Sequence, residues 1–386
     1  MIHSFGANNY FSFKDGFDIS FELNSKVPKD ITQGRKISTV MGIKGANASG
    51  KTSILRALEF MNSFCTRTFA RSEGVDNYVA PFFNSDKPCD FYIDFESNDT
   101  RYIYECSLTQ KEVIREALYK KVSRKTKVFE RKNNELVHKG PGLEGLELII
   151  LKNNSSLIDS INHYNLKFDS SDLQNVHSFF GKFQGNVSAL TVLDDKNFYT
   201  YKDVNEYYHN VPKALEFTKD IITRCDMGIS DIKLFERTNE KGELEHYPMF
   251  YHTGGGDHPR ALTYFTESHG TTALYRRLQA YWSVLYWGGT LIMDEFDTNL
   301  HPDLLPIIID LFLSQETNPR AAQFIFTSHN LEIIDHLGKY RTVLVGKTES
   351  ESFCYRLDEI PSDIIRNDRS ISALYRGGKI GGVPNL

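Results

Sequence analysis

The sequence predicts an α/β chain. It combines a mixed, largely parallel sheet covered by helices, an antiparallel β meander and a helix-containing insertion. Three observations carry that expectation. Gly42 to Met61 reads "GIKGANASGKTSILRALEFM", where an apolar β-type run feeds a glycine-rich loop and the loop feeds a helically spaced segment. "TLIMDE", "QFIFTSHN" and "RTVLVG" are short apolar runs separated by helical patterns, the alternation of a parallel sheet. Between residues 91 and 119, "FYIDFES", "RYIYECSL" and "VIREALY" alternate in polarity around an Asn-Asp-Thr turn, as an antiparallel meander does.

Taken in order, "MIHSFGANNYFSF" and "FDISFEL" read as strands around a Lys14-Asp15-Gly16 turn. "KISTVMGI" is the strand before the loop, and Ile54, Leu55, Leu58 and Met61 give the segment after it a helical face. From about 120 to 265 the pattern weakens. That region holds a basic stretch, a "KGPGLEG" break, the polar "KNNSSLIDSINHYN", helices from Val204 to Cys225, and a loop at "HTGGGDHPR". Regularity returns with the helix "TTALYRRLQAYWSVLYW" and the strand "TLIMDE". The helix "PDLLPIIIDLFLS", with proline near its first turn, the strand "QFIFTSHN", the helix "LEIIDHL" and the strand "RTVLVG" complete the pattern. No internal repeat or sustained heptad occurs.

Composition narrows the function. The 386 residues carry a net charge of −5, so any nucleic-acid surface must be local. Five scattered cysteines, with no C-x-x-C pair, argue against a disulfide framework or a cysteine zinc site and for a reducing, cytoplasmic setting. No apolar run approaches the roughly 20 residues of a membrane helix, and the N-terminus lacks the pattern of a signal peptide, so no membrane partner is expected.

The chemistry lies in three motifs. G-A-N-A-S-G-K-T fits G-x-x-x-x-G-K-[ST], the loop whose backbone N–H groups surround phosphate oxygens. Gly45, Asn47, Ala48, Ser49, Gly50, Lys51, Thr52 and Ser53 are therefore the candidate nucleotide-binding residues, with Lys51 bridging β- and γ-phosphates and Thr52 ligating Mg²⁺. In "LIMDEFD", Asp294 is the second candidate for Mg²⁺ and Glu295 the candidate base for an attacking water. His329, at the tip of "FIFTSHN", is placed to sense the γ-phosphate. An N-K-x-D base-reading motif is absent, which argues against a GTPase, and a small-metabolite kinase would lack the acidic pair followed by the His-tipped strand.

In these motifs the chain resembles ABC-type P-loop ATPases of the SMC/RecF/OLD superfamily, and within it the AAA-domain ATPases of the RloA and abortive-infection kind. "NNYFSFKD", "VFER", "ESHGTTALY" and "LYRGGKIGGVPNL" resemble that group's opening strand, post-meander motif, signature and ending. The resemblance implies ATP and Mg²⁺ as ligands, and Ser268 and Gly270 as phosphate contacts offered to a second copy of the chain. It divides the chain into an ATPase part at 1–120, an insertion at 121–261 and a second ATPase part at 262–386. It also implies hydrolysis gated by dimerisation, and an anti-phage role in which infection is sensed and a toxic partner released. OLD-type relatives carry a fused Toprim nuclease, whereas about forty residues follow the Arg341–Gly346 strand here, so a nuclease effector is expected as a separate chain. The alternative reading is a RecF-like repair ATPase that clamps DNA.

Two departures stand out. Phe11 occupies the place where related clamp ATPases often have a phosphate-touching arginine, and the signature reads Ser268-His269-Gly270-Thr271 rather than the Ser-Gly-Gly of transporter motors. The glutamine loop by which such ATPases sense metal is not placed by the sequence. Lys120 to Lys132, "KKVSRKTKVFERK", holds seven basic residues and one acid. It suits nucleic-acid phosphates or a lysine-protected hairpin edge, and the hairpin edge is preferred.

Overall fold

The computed structural model describes residues 1–72, 74–164, 168–188, 200–225, 228–239, 241–254, 260–361, 365 and 370–381. The chain begins with β1 (Ile2–Asn8), β2 (Phe17–Ser20), α1 (Lys29–Thr32), β3 (Val40–Gly45) and α2 (Lys51–Thr66). A meander follows: β4 (Cys89–Ser97), β5 (Thr100–Leu108), β6 (Val113–Lys121), β7 (Lys125–Lys132) and β8 (Glu135–Lys139). Then come α3 (Leu157–Ile161), α4 (Ser171–Phe180), β9 (Phe183–Gly185), α5 (Tyr201–Asn210), α6 (Pro212–Cys225), β10 (Ile229–Thr238), β11 (Leu244–His252) and β12 (Arg260–Thr263). The last part holds α7 (His269–Trp287), β13 (Thr290–Met293), α8 (Leu304–Leu313), β14 (Gln323–Thr327) and α9 (Glu332–Leu337). It ends with β15 (Thr342–Thr348), β16 (Glu351–Arg356) and α10 (Ile371–Arg376).

Among the described residues these strands form three sheets. The first is antiparallel, in the order β2-β1-β4-β5-β6-β7-β8, and the second runs β16-β15-β3-β14-β13-β9, parallel except at β16. The third is the antiparallel β10-β11-β12. The expected class, a mixed and largely parallel α/β sheet with an antiparallel meander and intervening helices, is the class observed.

Side-chain patterns explain the layers. Every residue of β3, β13 and β14 is buried, as in strands covered on both faces, whereas β4 alternates. Helix α2 runs between the first two sheets. Its Ile54, Leu55, Leu58, Phe60, Met61 and Phe64 share one core with Phe5, Phe91 and Ile93 of the first sheet and Ile43, Ile292 and Ile325 of the second. A helix packed on two sides loses the polar face of a surface helix, which is why its apolar residues outrun a single stripe. The opposite face of the parallel sheet packs on α7 and α8, joined by residues of α5, α6 and β10. Gln323 links the two sheets, its Nε2 donating to the carbonyls of Ile2 (2.9 Å) and Ser38 (3.1 Å).

The 121–261 segment supplies β7 and β8 to the first sheet and β9 to the second. A boundary between residues 120 and 121 passes through β6 itself. Helices α3 and α4 pack on α2. Among the described residues, α5, α6 and β10–β12 form no strand pairs with either large sheet and pack on α7, sharing the core on that face of the parallel sheet. Parts of the "HTGGGDHPR" loop (255–259) and of the C-terminal ending (382–386) lie outside the described residues. Among the described residues, no helix is long and apolar enough to cross a membrane.

Candidate active site

The glycine-rich loop connects β3 to α2. Gly50, at φ 109° before the first turn, adopts a conformation that L side chains rarely reach, and a Cβ there would sit 2.9 Å from Ser352 Oγ and 3.0 Å from Phe13. Gly45 is equally constrained, since a Cβ would meet the Val345 carbonyl oxygen at 2.3 Å. Ala48 also has positive φ (60°), so the loop turns back over the start of α2. Lys51 Nζ donates to the carbonyls of Gly45 (3.0 Å) and Ala46 (2.9 Å). Burial pulls the Lys51 ammonium below its usual range, while the carboxylates of Asp294, Glu295 and Asp297 oppose that shift. Ser49 Oγ is buried with no hydrogen-bond partner, an orphan that a phosphate oxygen would satisfy. The loop residues and their neighbours fit an anion held at a helix N-terminus.

The acidic motif meets this loop. Thr52 Oγ1 donates to Asp294 Oδ2 at 2.8 Å, and Thr327 Oγ1 donates to Asp294 Oδ1 at 2.5 Å. Asp294, 5% exposed, thus joins α2 to the ends of two parallel strands, and with Thr52 it forms the oxygen pair suited to Mg²⁺. Glu295 sits at φ 48°, unusual for a residue with a Cβ, and its N–H is anchored on Thr327 Oγ1 at 2.7 Å. That turn aims the carboxylate outward, where Oε1 lies 3.5 Å from His329 Nε2. The backbone N–H groups of His329 and Asn330 donate to Asp297, at 3.0 Å each for the shorter contacts.

A cavity of about 400 Å³ opens against the loop and is walled by Phe11, Ser12, Phe83 and Lys347 besides residues 48–53. Phe11, where related clamp ATPases often have an arginine, has the Arg56 guanidinium of α2 5.1 Å from its ring centroid. Ser268 and Gly270 line a different cavity, of about 450 Å³, with Asn299 and His301. Ser268 caps α7, its Oγ accepting from the Thr271 N–H at 3.1 Å. The structure therefore brings Lys51, Thr52, Asp294, Glu295 and His329 to one end of the parallel sheet, with Lys51 and Thr52 lining the 400 Å³ cavity, and places Ser268 and Gly270 on a separate one.

Sequence reading passed over four supporting residues. Asn186, just after β9, holds Asp294 by both backbone groups: its Nδ2 donates to the carbonyl at 2.9 Å and its Oδ1 accepts from the N–H at 2.7 Å. Arg277, 2% exposed in α7, donates to the Phe296 carbonyl at 3.0 Å and so ties α7 to the acidic turn. Its one visible signal was the Arg276-Arg277 pair in a helix with no other Lys, Arg, Asp or Glu. Thr327 was quoted only as part of a strand. Lys44, 7% exposed, donates to the His329 carbonyl, and burial lowers its pKa to about 8.

The basic stretch proves largely neutralised. Lys120 pairs with Asp172 (2.8 Å), Lys125 with Glu105 (3.3 Å) and Lys127 with Glu130. Arg131 belongs to the core. It is fully buried 2.9 Å from Glu116, which also accepts from Tyr104 Oη and Ser156 Oγ. Replacing Lys120, Lys121, Arg124 and Lys125 together with Glu is expected to leave basal ATP turnover nearly intact, because partly exposed pairs contribute only about 0–1 kcal/mol each. Steady-state phosphate release checks this; a collapse in a folded variant would place the hairpin in the catalytic machinery.

Comparison with known proteins places the chain in a family. A model of the family described as "AAA domain, putative AbiEii toxin, Type IV TA system" matches residues 40–335. No curated protein matches the sequence. Among solved structures, the SMC head domain from Thermotoga maritima aligns at 14% identity and TM-score 0.45, covering 92% of this chain and 98% of that one. An Smc head domain with a coiled coil and joint derived from Pyrococcus yayanosii aligns at 12% identity and TM-score 0.47, covering 98% and 99%. The family match takes in the glycine-rich loop, the Asp294-Glu295 turn and the His329 strand, and the chain belongs to this AAA-domain family.

Proposed function

We propose that the chain is a clamp-type ATPase that binds ATP, closes on a second copy of itself, and reopens on hydrolysis to ADP and phosphate. The observation that carries this is the Asp294 carboxylate, hydrogen-bonded at once to Thr52 of the glycine-rich loop and Thr327 of the neighbouring strand. Thr52 and Asp294 would hold Mg²⁺, which when bound neutralises charge on the transferring phosphoryl group. Lys51 gives up its loop carbonyls for the β- and γ-phosphates. Glu295 takes the proton of the water whose oxygen attacks the γ-phosphorus as the bond to the β–γ bridging oxygen breaks. His329, beside Glu295, senses that phosphate, and Phe11 and Phe83 offer aromatic faces to the base. Ser268 and Gly270 serve the nucleotide of the partner subunit, with the N-terminus of α7 favouring its charge.

The biological reading is bacterial anti-phage defence: the ATPase senses infection and controls a separately encoded toxic effector, a Toprim-type nuclease being the natural candidate. It is supported by the family description, which names a putative AbiEii toxin and a type IV toxin–antitoxin system. Cells carrying the gene with its neighbours should plate phage less efficiently, and Lys51→Ala should remove that protection. Tight DNA binding that requires ATP and falls steeply with salt, without any effect on phage, would instead favour a RecF-like repair role.

A further inference from the structure

Away from the nucleotide site, β10 and β11 pair so that Glu236 stands directly opposite His246. Directly opposed residues share one face of a sheet. Helix α5 packs on β11 and brings Glu206 and His209, three residues apart and so on one side of the helix. Glu206 Oε2 lies 3.1 Å from His246 Nδ1, and Glu236 Oε1 lies 3.4 Å from His246 Nε2. The His209 ring stacks on the His246 ring, 3.8 Å between centroids and 21° between planes. His246 itself is 8% exposed, and Asn205 Nδ2 fixes its backbone by donating to its carbonyl at 3.1 Å.

One atom in this group is unexplained. His246 Nε2 is buried and makes no hydrogen bond, although the Glu236 carboxylate is close by. A buried polar atom left unpaired costs about 1–3 kcal/mol. The Glu206 carboxylate, on the other ring nitrogen, favours the tautomer with the proton on Nδ1 and so leaves a lone pair on Nε2. A carboxylate behind a histidine whose far nitrogen is free is the order found at metal-ligating histidines.

We propose that His209, Glu236 and His246 bind one divalent transition-metal cation of the zinc type, with Glu206 orienting His246 from behind. Two imidazoles and a carboxylate form a donor set that such cations accept, with water in the fourth position. The candidate ligand atoms all lie within 4.8 Å of one another. Bonds of ~2.0–2.1 Å in a tetrahedron call for a spacing of roughly 3.3 Å. His209 and Glu236 are exposed, so their side chains are free to turn inward and close that difference around the fixed His246. The bound cation would staple α5 to the β10–β11 hairpin. Helix α5 is in turn bonded to the signature helix α7, since Tyr208 Oη donates to the Tyr275 carbonyl (2.7 Å) and Tyr275 Oη to Asn205 Oδ1 (2.9 Å). The site therefore stiffens the lobe that carries Ser268, and takes no part in phosphoryl chemistry.

The test is equilibrium dialysis of the full chain against zinc chloride, with excess Mg²⁺ present to occupy the nucleotide site. One zinc per chain is expected, saturating at about micromolar free metal. His209→Ala combined with Glu236→Gln, which leaves the buried His246 in place, should abolish that binding and the accompanying rise in melting temperature, while Mg·ATP affinity stays unchanged. Cobalt should give the intense visible bands of a four-coordinate site in the native chain alone. No saturable zinc binding, or one equivalent retained in the double variant, overturns the proposal and leaves His246 as a structural neighbour of Glu206 and Glu236 only.

Discussion

Lys51→Ala is expected to abolish nucleotide binding, with an affinity loss of at least about a hundredfold. Lys51 is 7% exposed and its ammonium already donates to two carbonyls of the loop, so its charge acts at short range in a partly desolvated place. Hydrogen bonds to charged groups contribute about 1.5–3 kcal/mol each, and here one side chain serves two phosphates. Equilibrium binding of a labelled nucleotide measures the effect. Unchanged affinity in a folded variant would remove the glycine-rich loop from the account.

The second large effect is expected at Glu295. Glu295→Gln retains size and polarity, so the φ 48° turn and its anchor on Thr327 should survive. What is lost is the proposed base. General-base contributions of about 10²–10⁴ in rate set the expected fall in turnover, with nucleotide affinity preserved or increased. If hydrolysis reopens the clamp as proposed, this variant should accumulate as an ATP-bound dimer on size-exclusion chromatography. A Glu295→Gln protein that turns over ATP at the native rate would require another base.

How much was visible beforehand follows from how each element is stabilised. Strands β3, β13, β14 and β15 are buried or nearly so, and such strands appear in sequence as unbroken apolar runs with polar ends. The loop and the Asp294-Glu295 turn were legible because phosphate and metal chemistry tolerate few residue types at fixed spacing. The β6–β7 hairpin was the preferred reading of the basic stretch, but β8 was not legible, since its five mostly exposed residues show no buried alternation before the Gly140-Pro141-Gly142 break. The three-residue β9 is too short for any period to register, so Asn186 could not be seen behind Asp294. Arg277 and Lys44 act through backbone carbonyls more than a dozen residues away, contacts that no local pattern encodes. The 121–261 segment looked separable because it lacks periodicity, yet it completes both large sheets.

The claim at the centre of this account is that the working site needs two chains. The Lys51 loop and the Asp294 turn lie together, while Ser268 and Gly270 line another cavity, so their phosphate would belong to a partner. Mixing Ser268→Arg protein with Lys51→Ala protein tests this directly. Each variant alone should be inactive, because every site it forms lacks either the loop lysine or the signature serine. In a heterodimer one intact loop meets one intact signature, so the exchanged mixture should recover ATP turnover, up to one working site per dimer. A mixture that stays as inactive as its components, after subunit exchange has been verified, would contradict the two-chain site.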